Sequence, residues 1–183
     1  MDKRELIAKL IEIDEDAFFS YGVDPMVKPE VVIVGGSALL LCDFSPRAKT
    51  KDVDVLRASS NDAVRNALLS NPDFNTQCNA FIQNIPYNFE DRLKSIDLNT
   101  RMINYLVPSQ EDIAVMKLYR WERIDIEDLM EASFLKSLNW DFLEYLVTSP
   151  DEAQGSRSAL PEYDRELKQM RHNFSEYKRM CGK

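Results

Sequence analysis

A glycine-rich turn follows a short apolar run in the first third of the chain. Residues 30–34, Glu-Val-Val-Ile-Val, predict a strand that leads directly into Gly35, Gly36 and Ser37. Glycines ahead of a helix N-terminus leave backbone N–H groups available to an anionic group. The turn is therefore a candidate phosphate-binding element.

Two aspartates lie on the next predicted strand, residues 51–56. Because residues i and i+2 of a strand point to the same face, Asp52 and Asp54 should project side by side, while Val53 and Val55 point into the core. Two adjacent carboxylates repel each other unless a cation lies between them. Mg²⁺ commonly takes one or two protein carboxylates together with substrate phosphates. A phosphate-binding turn and a metal-binding carboxylate pair together indicate that the protein handles a nucleoside triphosphate.

The order of these motifs resembles the polymerase-β-type nucleotidyltransferase superfamily. Its signature is a strand, then Gly-Gly or Gly-Ser opening a helix, then Asp-x-Asp on the following strand. The matching positions are Gly35, Gly36, Ser37, Asp52 and Asp54. The resemblance implies that the two aspartates are catalytic and bind Mg²⁺, and that the turn cradles the β- and γ-phosphates. The alternative is a tight turn beside a solvated strand face.

A second group of charged residues sharpens the resemblance. Bacterial families of abortive-infection and toxin–antitoxin toxins of the AbiEii type carry a helix with Lys-Leu and then Arg, followed by an Asp-x-x-Asp that opens the next helix. The matching residues are Lys117, Arg120 or Arg123, Asp125 and Asp128. The resemblance implies that Lys117 and Arg120 bind the triphosphate, with Lys117 acting on the leaving pyrophosphate. Asp125 or Asp128 would orient or deprotonate the acceptor.

Each of these residues also has a structural alternative. Lys117 has apolar neighbours, so its stem should be packed, and its ammonium must reach water or an anion. Asp125 could cap a helix N-terminus, and Asp128 could interact with the positive end of that helix. Asp97, on a later predicted strand, is a lower-ranked candidate for the third carboxylate of the superfamily. The sequence leaves these alternatives open.

The composition limits the kind of protein. The chain has 183 residues, a net charge of −8 and 44% hydrophobic residues, and no apolar stretch approaches the roughly 20 residues of a membrane span. Its three cysteines, Cys42, Cys78 and Cys181, fit no zinc pattern and suggest reduced cytosolic thiols. The chain has a single histidine, His172, which argues against histidine-based catalysis or metal binding. With no signal-peptide pattern at the N-terminus, we expect a cytoplasmic protein that does not bind membranes.

The element pattern predicts an α/β (α+β) fold: a mixed sheet of at least four strands flanked by helices, then a helical C-terminal part. We expect a nucleotidyltransferase core over residues 1–107 and a helical part over 108–183, packing on that core. Residues 74–92 stay unassigned, and 149–158 predict a loop. The predicted strands are 30–34, 52–56, 93–98 and 102–107, and the predicted helices are 2–19, 37–43, 59–71, 109–121, 125–137, one near 140, and 160–180.

The expected reaction is transfer of a nucleoside monophosphate from an NTP to an acceptor hydroxyl. The toxin resemblance implies an RNA acceptor, such as a tRNA 3′ end, and a cognate antitoxin as partner. The net charge weighs against broad nucleic-acid binding, although Arg47, Lys49 and Lys51 form a local basic cluster. The alternatives are an antibiotic-type transferase acting on a small molecule, and a nucleotide sensor or partner-binding module with a degenerate site. The sequence leaves the oligomeric state open.

Overall fold

The computed structural model describes residues 1–22, 25–45, 48–76, 83–154 and 162–183. The chain forms two units. We call the first, Met1–Ala80 with Leu93–Pro108, the sheet unit, and the second, Phe81–Arg92 with Ser109–Lys183, the helical unit.

The sheet unit is built on a five-stranded mixed sheet with strand order β3-β2-β1-β5-β4. Strands β1 and β2 pair antiparallel, as do β4 and β5, whereas β1 with β5 and β2 with β3 pair parallel. This confirms the predicted mixed sheet. The strands are β1 (Glu30–Val34), β2 (Val53–Arg57), β3 (Phe74–Asn75), β4 (Lys94–Ser95) and β5 (Asn104–Val107).

Three helices belong to the sheet unit: α1 (Lys3–Tyr21), α2 (Gly35–Leu41) and α3 (Asp62–Ser70). Helix α1 packs against α2 and α3, and its apolar positions are buried at helical spacing. The buried Asp14 accepts hydrogen bonds from three consecutive backbone N–H groups, those of Arg101, Met102 and Ile103, at 2.6–2.8 Å. Because buried backbone donors need partners, this carboxylate fixes the turn before β5.

In the helical unit, α4 is the central helix and packs against α5, α7 and α9. Two buried side chains of α9 bind carbonyl groups of neighbouring helices: Asn173 donates to Leu118, and the Tyr177 hydroxyl donates to Leu129, each at 2.8 Å. The elements are a 3₁₀-helix (Phe89–Arg92), α4 (Gln110–Arg120), α5 (Arg123–Leu129), α6 (Ala132–Ser137), α7 (Trp140–Thr148), α8 (Pro150–Gln154) and α9 (Tyr163–Met180).

Several sequence-based boundaries are wrong. The strand predicted over 93–98 is only Lys94–Ser95, so Asp97 lies after the strand and not on it. The helix predicted over 125–137 is two helices, because the chain leaves helical geometry after Met130 and Glu131 caps α6. Helix α2 begins at Gly35, directly at the end of β1, rather than at residue 37. The loop predicted over 149–158 contains α8, and its residues 155–158 lie outside the described part of the chain.

Within the unassigned stretch 74–92, β3 and the 3₁₀-helix are regular structure, and residues 77–82 lie outside the described ranges. Cys42 and Cys181 are free thiols, whereas Cys78 and Arg47 belong to the parts not described. Among the described helices, none combines the length and the apolar character needed to cross a bilayer.

Candidate active site

The glycine turn lies directly against the second aspartate. Val34, the last residue of β1, pairs with Asp54 in the antiparallel register of β1 and β2. Gly35 then adopts a left-handed backbone with φ of 67°, and a Cβ built on it would lie 2.7 Å from Asp54 Oδ2. Both the backbone angle and the contact therefore require glycine at this position. The sequence shows only that the glycine turn precedes the aspartate motif along the chain. The structure shows that Gly35 and Asp54 are neighbours in space.

Ser37 links the turn to the first aspartate. Its side chain is buried, with 1% of the residue exposed, and its Oγ donates to the Asp52 carbonyl at 2.7 Å. Thr50 Oγ1 donates to the same carbonyl at 3.0 Å. These two hydroxyls fix the backbone at Asp52, immediately before β2 begins. Contact between the Ser37 hydroxyl and a phosphate stays a prediction.

The aspartate motif has the predicted alternation of buried and accessible residues. Val53 and Val55 are buried, whereas Asp52 and Asp54 are half-buried. Asp52 precedes the first residue of β2 rather than lying within the strand. The two aspartates flank one buried valine, and both residues remain partly accessible to solvent.

Asn75 is a site residue that the sequence reasoning missed. It pairs with Asp54 in the parallel register of β2 and β3, and its Nδ2 donates to Asp54 Oδ1 at 3.1 Å. Strand β3 has only two residues and lies in the stretch that the sequence pattern leaves unassigned. No local signal in the sequence points to this asparagine.

The donor chemistry of the aspartate pair fits Mg²⁺. Carboxylate oxygens are the hard ligands that this ion prefers, and it binds through one or two of them when substrate phosphates complete its coordination. Within the described residues, no cluster of three or more acidic, histidine or cysteine side chains is arranged to hold a metal. Asp52 and Asp54 are thus the residues that would hold the ion, with the substrate supplying further oxygens.

The sheet does not bring Asp97 to this site. Asp97 follows β4, which is an edge strand. Strand β4 lies three positions from β2, so about 14 Å separates the two strands at the usual strand spacing. Along the strands, Asp97 lies beyond Ser95, near the start of β5, whereas Asp54 pairs with the last residue of the parallel strand β1. Its carboxylate accepts a hydrogen bond from the Asn99 N–H at 3.2 Å and stabilises a turn.

The second predicted group forms a buried ion cluster in the helical unit. Lys117 is 4% exposed, and its Nζ lies 3.2 Å from Asp125 Oδ1 and 2.7 Å from Asp128 Oδ2. Arg120 donates to both oxygens of Asp125, at 2.7 and 2.5 Å. In this structure the anions that bind the Lys117 ammonium are therefore the carboxylates of Asp125 and Asp128. We call these four residues the Lys117 cluster.

The sequence context of Asp125 suggests a helix N-cap, but Asp125 lies within the first turn of α5. The N-cap of α5 is Glu122, and Asp125 is the third helical residue of a capping box, accepting the Glu122 N–H at 3.1 Å. Burial raises the pKa of the Asp125 carboxyl, but the hydrogen bond from Arg120 and the charge of Lys117 outweigh burial and hold the pKa below its usual value. Asp125 is therefore a carboxylate at neutral pH.

Of the two arginines compatible with the second motif, Arg120 belongs to the cluster and Arg123 does not. The Arg120 side chain is 50% exposed while its guanidinium holds Asp125. Arg123 pairs with Glu127 one turn further along α5, on the exposed surface. An exposed pair of that kind contributes little to stability.

A second buried ion cluster in the helical unit has no counterpart in the sequence reasoning. Arg92 donates to the fully buried Asp112, with the shortest contact at 2.8 Å, and to Glu152 at 3.2 and 3.3 Å. Asn88 also donates to Glu152, through its side chain at 3.0 Å and its backbone N–H at 3.2 Å. These contacts join the 3₁₀-helix to α4 and α8, consistent with its place in the helical unit.

The comparisons with known proteins point to one family. A family model described as "Nucleotidyltransferase of unknown function (DUF6036)" matches residues 8–181. Neither the search of curated proteins nor the search of solved structures finds a match. Because the family match spans nearly the whole chain and includes both motifs, the chain belongs to this family of nucleotidyltransferases of unknown function.

Proposed function

We propose that this protein transfers a nucleoside monophosphate from an NTP to an acceptor hydroxyl and releases pyrophosphate. The observation that carries the proposal is the contact between Gly35 and Asp54, where a Cβ would lie 2.7 Å from a carboxylate oxygen. A turn suited to phosphate and a pair of carboxylates suited to Mg²⁺ adjoin each other within one folded unit. The family membership of residues 8–181 supports the same class of reaction.

The residues of the sheet unit have distinct roles in this proposal. Asp52 and Asp54 hold Mg²⁺, which when bound offsets negative charge on the phosphates. Gly35 and Gly36 offer backbone N–H groups to the phosphate oxygens at the start of α2. Ser37 holds the Asp52 backbone in place through its 2.7 Å hydrogen bond, so the carboxylate pair is positioned before substrate arrives.

The role of the Lys117 cluster is a separate part of the proposal. Arg120 is a cation of the type that binds a triphosphate, whereas the ammonium of Lys117 is held by the buried carboxylates of Asp125 and Asp128. Arg120 is the most accessible member, because its side chain is 50% exposed. Arg120→Ala tests the role directly: we expect the KM for NTP to rise. An unchanged KM and kcat in a folded variant would leave the cluster with a stabilising role only.

The acceptor that we propose is RNA. The resemblance of the second motif to AbiEii-type toxins supports this acceptor and a cognate antitoxin as a binding partner. The net charge of −8 weighs against broad binding to nucleic acid, so an RNA acceptor would have to be bound through a local surface. A small hydroxylated compound is the competing acceptor class.

A label-transfer assay tests the proposal. The protein is incubated with Mg²⁺, each of four α-³²P-labelled NTPs and total bacterial RNA, beside Asp52→Ala and Asp54→Ala variants. Asp97→Ala is the matched control, because it removes the same side chain from the opposite end of the same sheet. We expect label in an RNA band with the wild type and the control, and none with the two site variants. Label that persists in both site variants would refute the proposal.

A second candidate function is nucleotide sensing without transfer. The observation that favours it is that no group of three metal-binding side chains is found in the described residues, while Asp97, the candidate third carboxylate, follows β4, three strands away from β2. Calorimetry separates the two functions. NTP binding that depends on Asp52 and Asp54, with no label transferred to RNA, small molecules or protein, would establish the sensor.

A further inference from the structure

We propose that Asn75 is a positioning residue that orients the Asp54 carboxylate for binding of a divalent cation. The inference rests on the proposed function, because it concerns the same carboxylate pair. It assigns a role to a residue that neither motif contains.

The register of the sheet places Asn75 beside Asp54. The two residues are partners in the parallel pairing of β2 and β3, so their side chains project from the same face of neighbouring strands. Asn75 Nδ2 donates to Asp54 Oδ1 at 3.1 Å. Both side chains are half-buried, so the hydrogen bond is partly shielded from competing water.

The other oxygen of Asp54 is located by the glycine turn. A Cβ built on Gly35 would lie 2.7 Å from Asp54 Oδ2. The carboxylate therefore has Gly35 on one side and Asn75 on the other. With one oxygen held by a donor and the other adjoining the turn, the plane of the carboxylate is fixed. A pre-oriented carboxylate loses less conformational freedom when it binds a cation.

An amide is suited to this role because it orients Asp54 without changing the charge of the site. A lysine or arginine at position 75 would neutralise Asp54 and weaken cation binding. Partners that hydrogen-bond to a metal-ligating side chain typically contribute about 10–100-fold to metal affinity. We therefore expect Asn75 to influence cation affinity although it need not touch the cation.

Mn²⁺ binding, followed by the electron paramagnetic resonance signal of the free ion, tests the inference without requiring any acceptor. We expect Asn75→Ala and Asn75→Thr to weaken Mn²⁺ binding about tenfold. Threonine is included because it favours strands and has no side-chain amide. The matched control is Asn104→Ala, which removes another strand asparagine, bonded to Ser95, from the same sheet. Thermal unfolding of each variant confirms that it is folded.

The outcomes separate the inference from the proposed function. If Asp54→Ala abolishes Mn²⁺ binding but both Asn75 variants bind like the wild type, Asn75 has no positioning role and the metal site stands. If wild-type binding does not depend on Asp52 or Asp54, the proposed metal site itself is wrong, and the role of Asn75 is refuted with it. A tenfold loss in the Asn75 variants, with Asn104→Ala unchanged, would support the inference.

Discussion

Gly35 and Asp54 are in such close contact that any side chain at position 35 would collide with the carboxylate, with a Cβ at 2.7 Å from Oδ2. We expect Gly35→Ala to lower the free energy of unfolding by more than the roughly 1–2 kcal/mol that a left-handed backbone costs alanine. The excess arises because Asp54 must move. Urea unfolding measures the loss, and Mn²⁺ titration should show weaker binding in the same variant.

Gly22 supplies the control for this substitution. It also has a left-handed backbone, with φ of 82°, but an added Cβ would meet no atom within 4 Å among the described residues, its chain neighbours aside. Gly22→Ala should therefore show only the backbone cost and retain wild-type Mn²⁺ affinity. Equal losses of stability and affinity in the two variants would mean that the contact with Asp54 is unimportant.

Removing the Lys117 ammonium should destabilise the helical unit strongly. Lys117→Met leaves Asp125 and Asp128, both fully buried, with Arg120 as the remaining cation among the four residues of the cluster. Breaking a buried ion pair by deleting one partner typically costs about 3–5 kcal/mol, because an uncompensated charge stays buried. Urea unfolding at neutral pH measures the change.

Lys136 on α6 is a suitable reference for that experiment, because it is exposed. Lys136→Met removes the same charge and should alter stability by no more than about 0.5 kcal/mol. If Lys117→Met is as mild as Lys136→Met, the cluster is not a stabilising element. A role of Lys117 in phosphate binding would then become the stronger explanation of its presence.

Local patterns were enough to predict the β1–α2–β2 segment. The valine-rich strands, the glycine turn and the alternation of aspartate and valine all depend on residues close in sequence. The start of α4 at Ser109 was predictable for the same reason, since its side chain accepts the Asp112 N–H within one helical turn. Agreement between local pattern and tertiary structure is expected where each residue's preference suits its final environment.

Long-range pairing explains what the sequence could not predict. Strand β3 has two residues, and its role becomes clear only when Asn75 pairs with Asp54, 21 positions earlier. Arg92 likewise binds Glu152, 60 positions later. For Lys117 the sequence predicted only that the ammonium must reach water or an anion. The identity of that anion as Asp125 and Asp128 depends on the packing of α5 against α4.

The stability of the protein should fall in acid partly because of Asp125. Burial alone would raise the pKa of Asp125, but Arg120 and Lys117 hold its pKa below the unfolded value of about 3.9. The stabilisation from this group is complete above that unfolded value and is lost as the pH falls through the lower, folded pKa, since the unfolded state binds the proton first.

Asp125→Asn should therefore make the dependence of unfolding free energy on pH shallower below about pH 4. The variant will also be less stable at neutral pH, because Lys117 and Arg120 lose a carboxylate partner. Urea unfolding at several pH values from neutral to acidic conditions gives both quantities. A variant whose acid dependence parallels that of the wild type would show that Asp125 titrates alike in the folded and unfolded states.

We expect both Arg92→Met and Arg92→Lys to lower the stability of the protein. Its planar guanidinium donates to Asp112 and Glu152 at once, and both carboxylates are buried. Arg92→Met should cost about 3–5 kcal/mol, because two buried carboxylates lose their cation. Arg92→Lys keeps the charge, but a single ammonium cannot reproduce the fixed fork of donors, so we expect an intermediate loss.

Urea unfolding ranks the stability of the Arg92 variants. The control is Arg65→Lys, because the ion pair between Arg65 and Asp62 lies on the exposed surface. If Arg92→Lys is as stable as the wild type, charge alone holds the 3₁₀-helix to α4 and α8, and the geometry of the guanidinium contributes nothing.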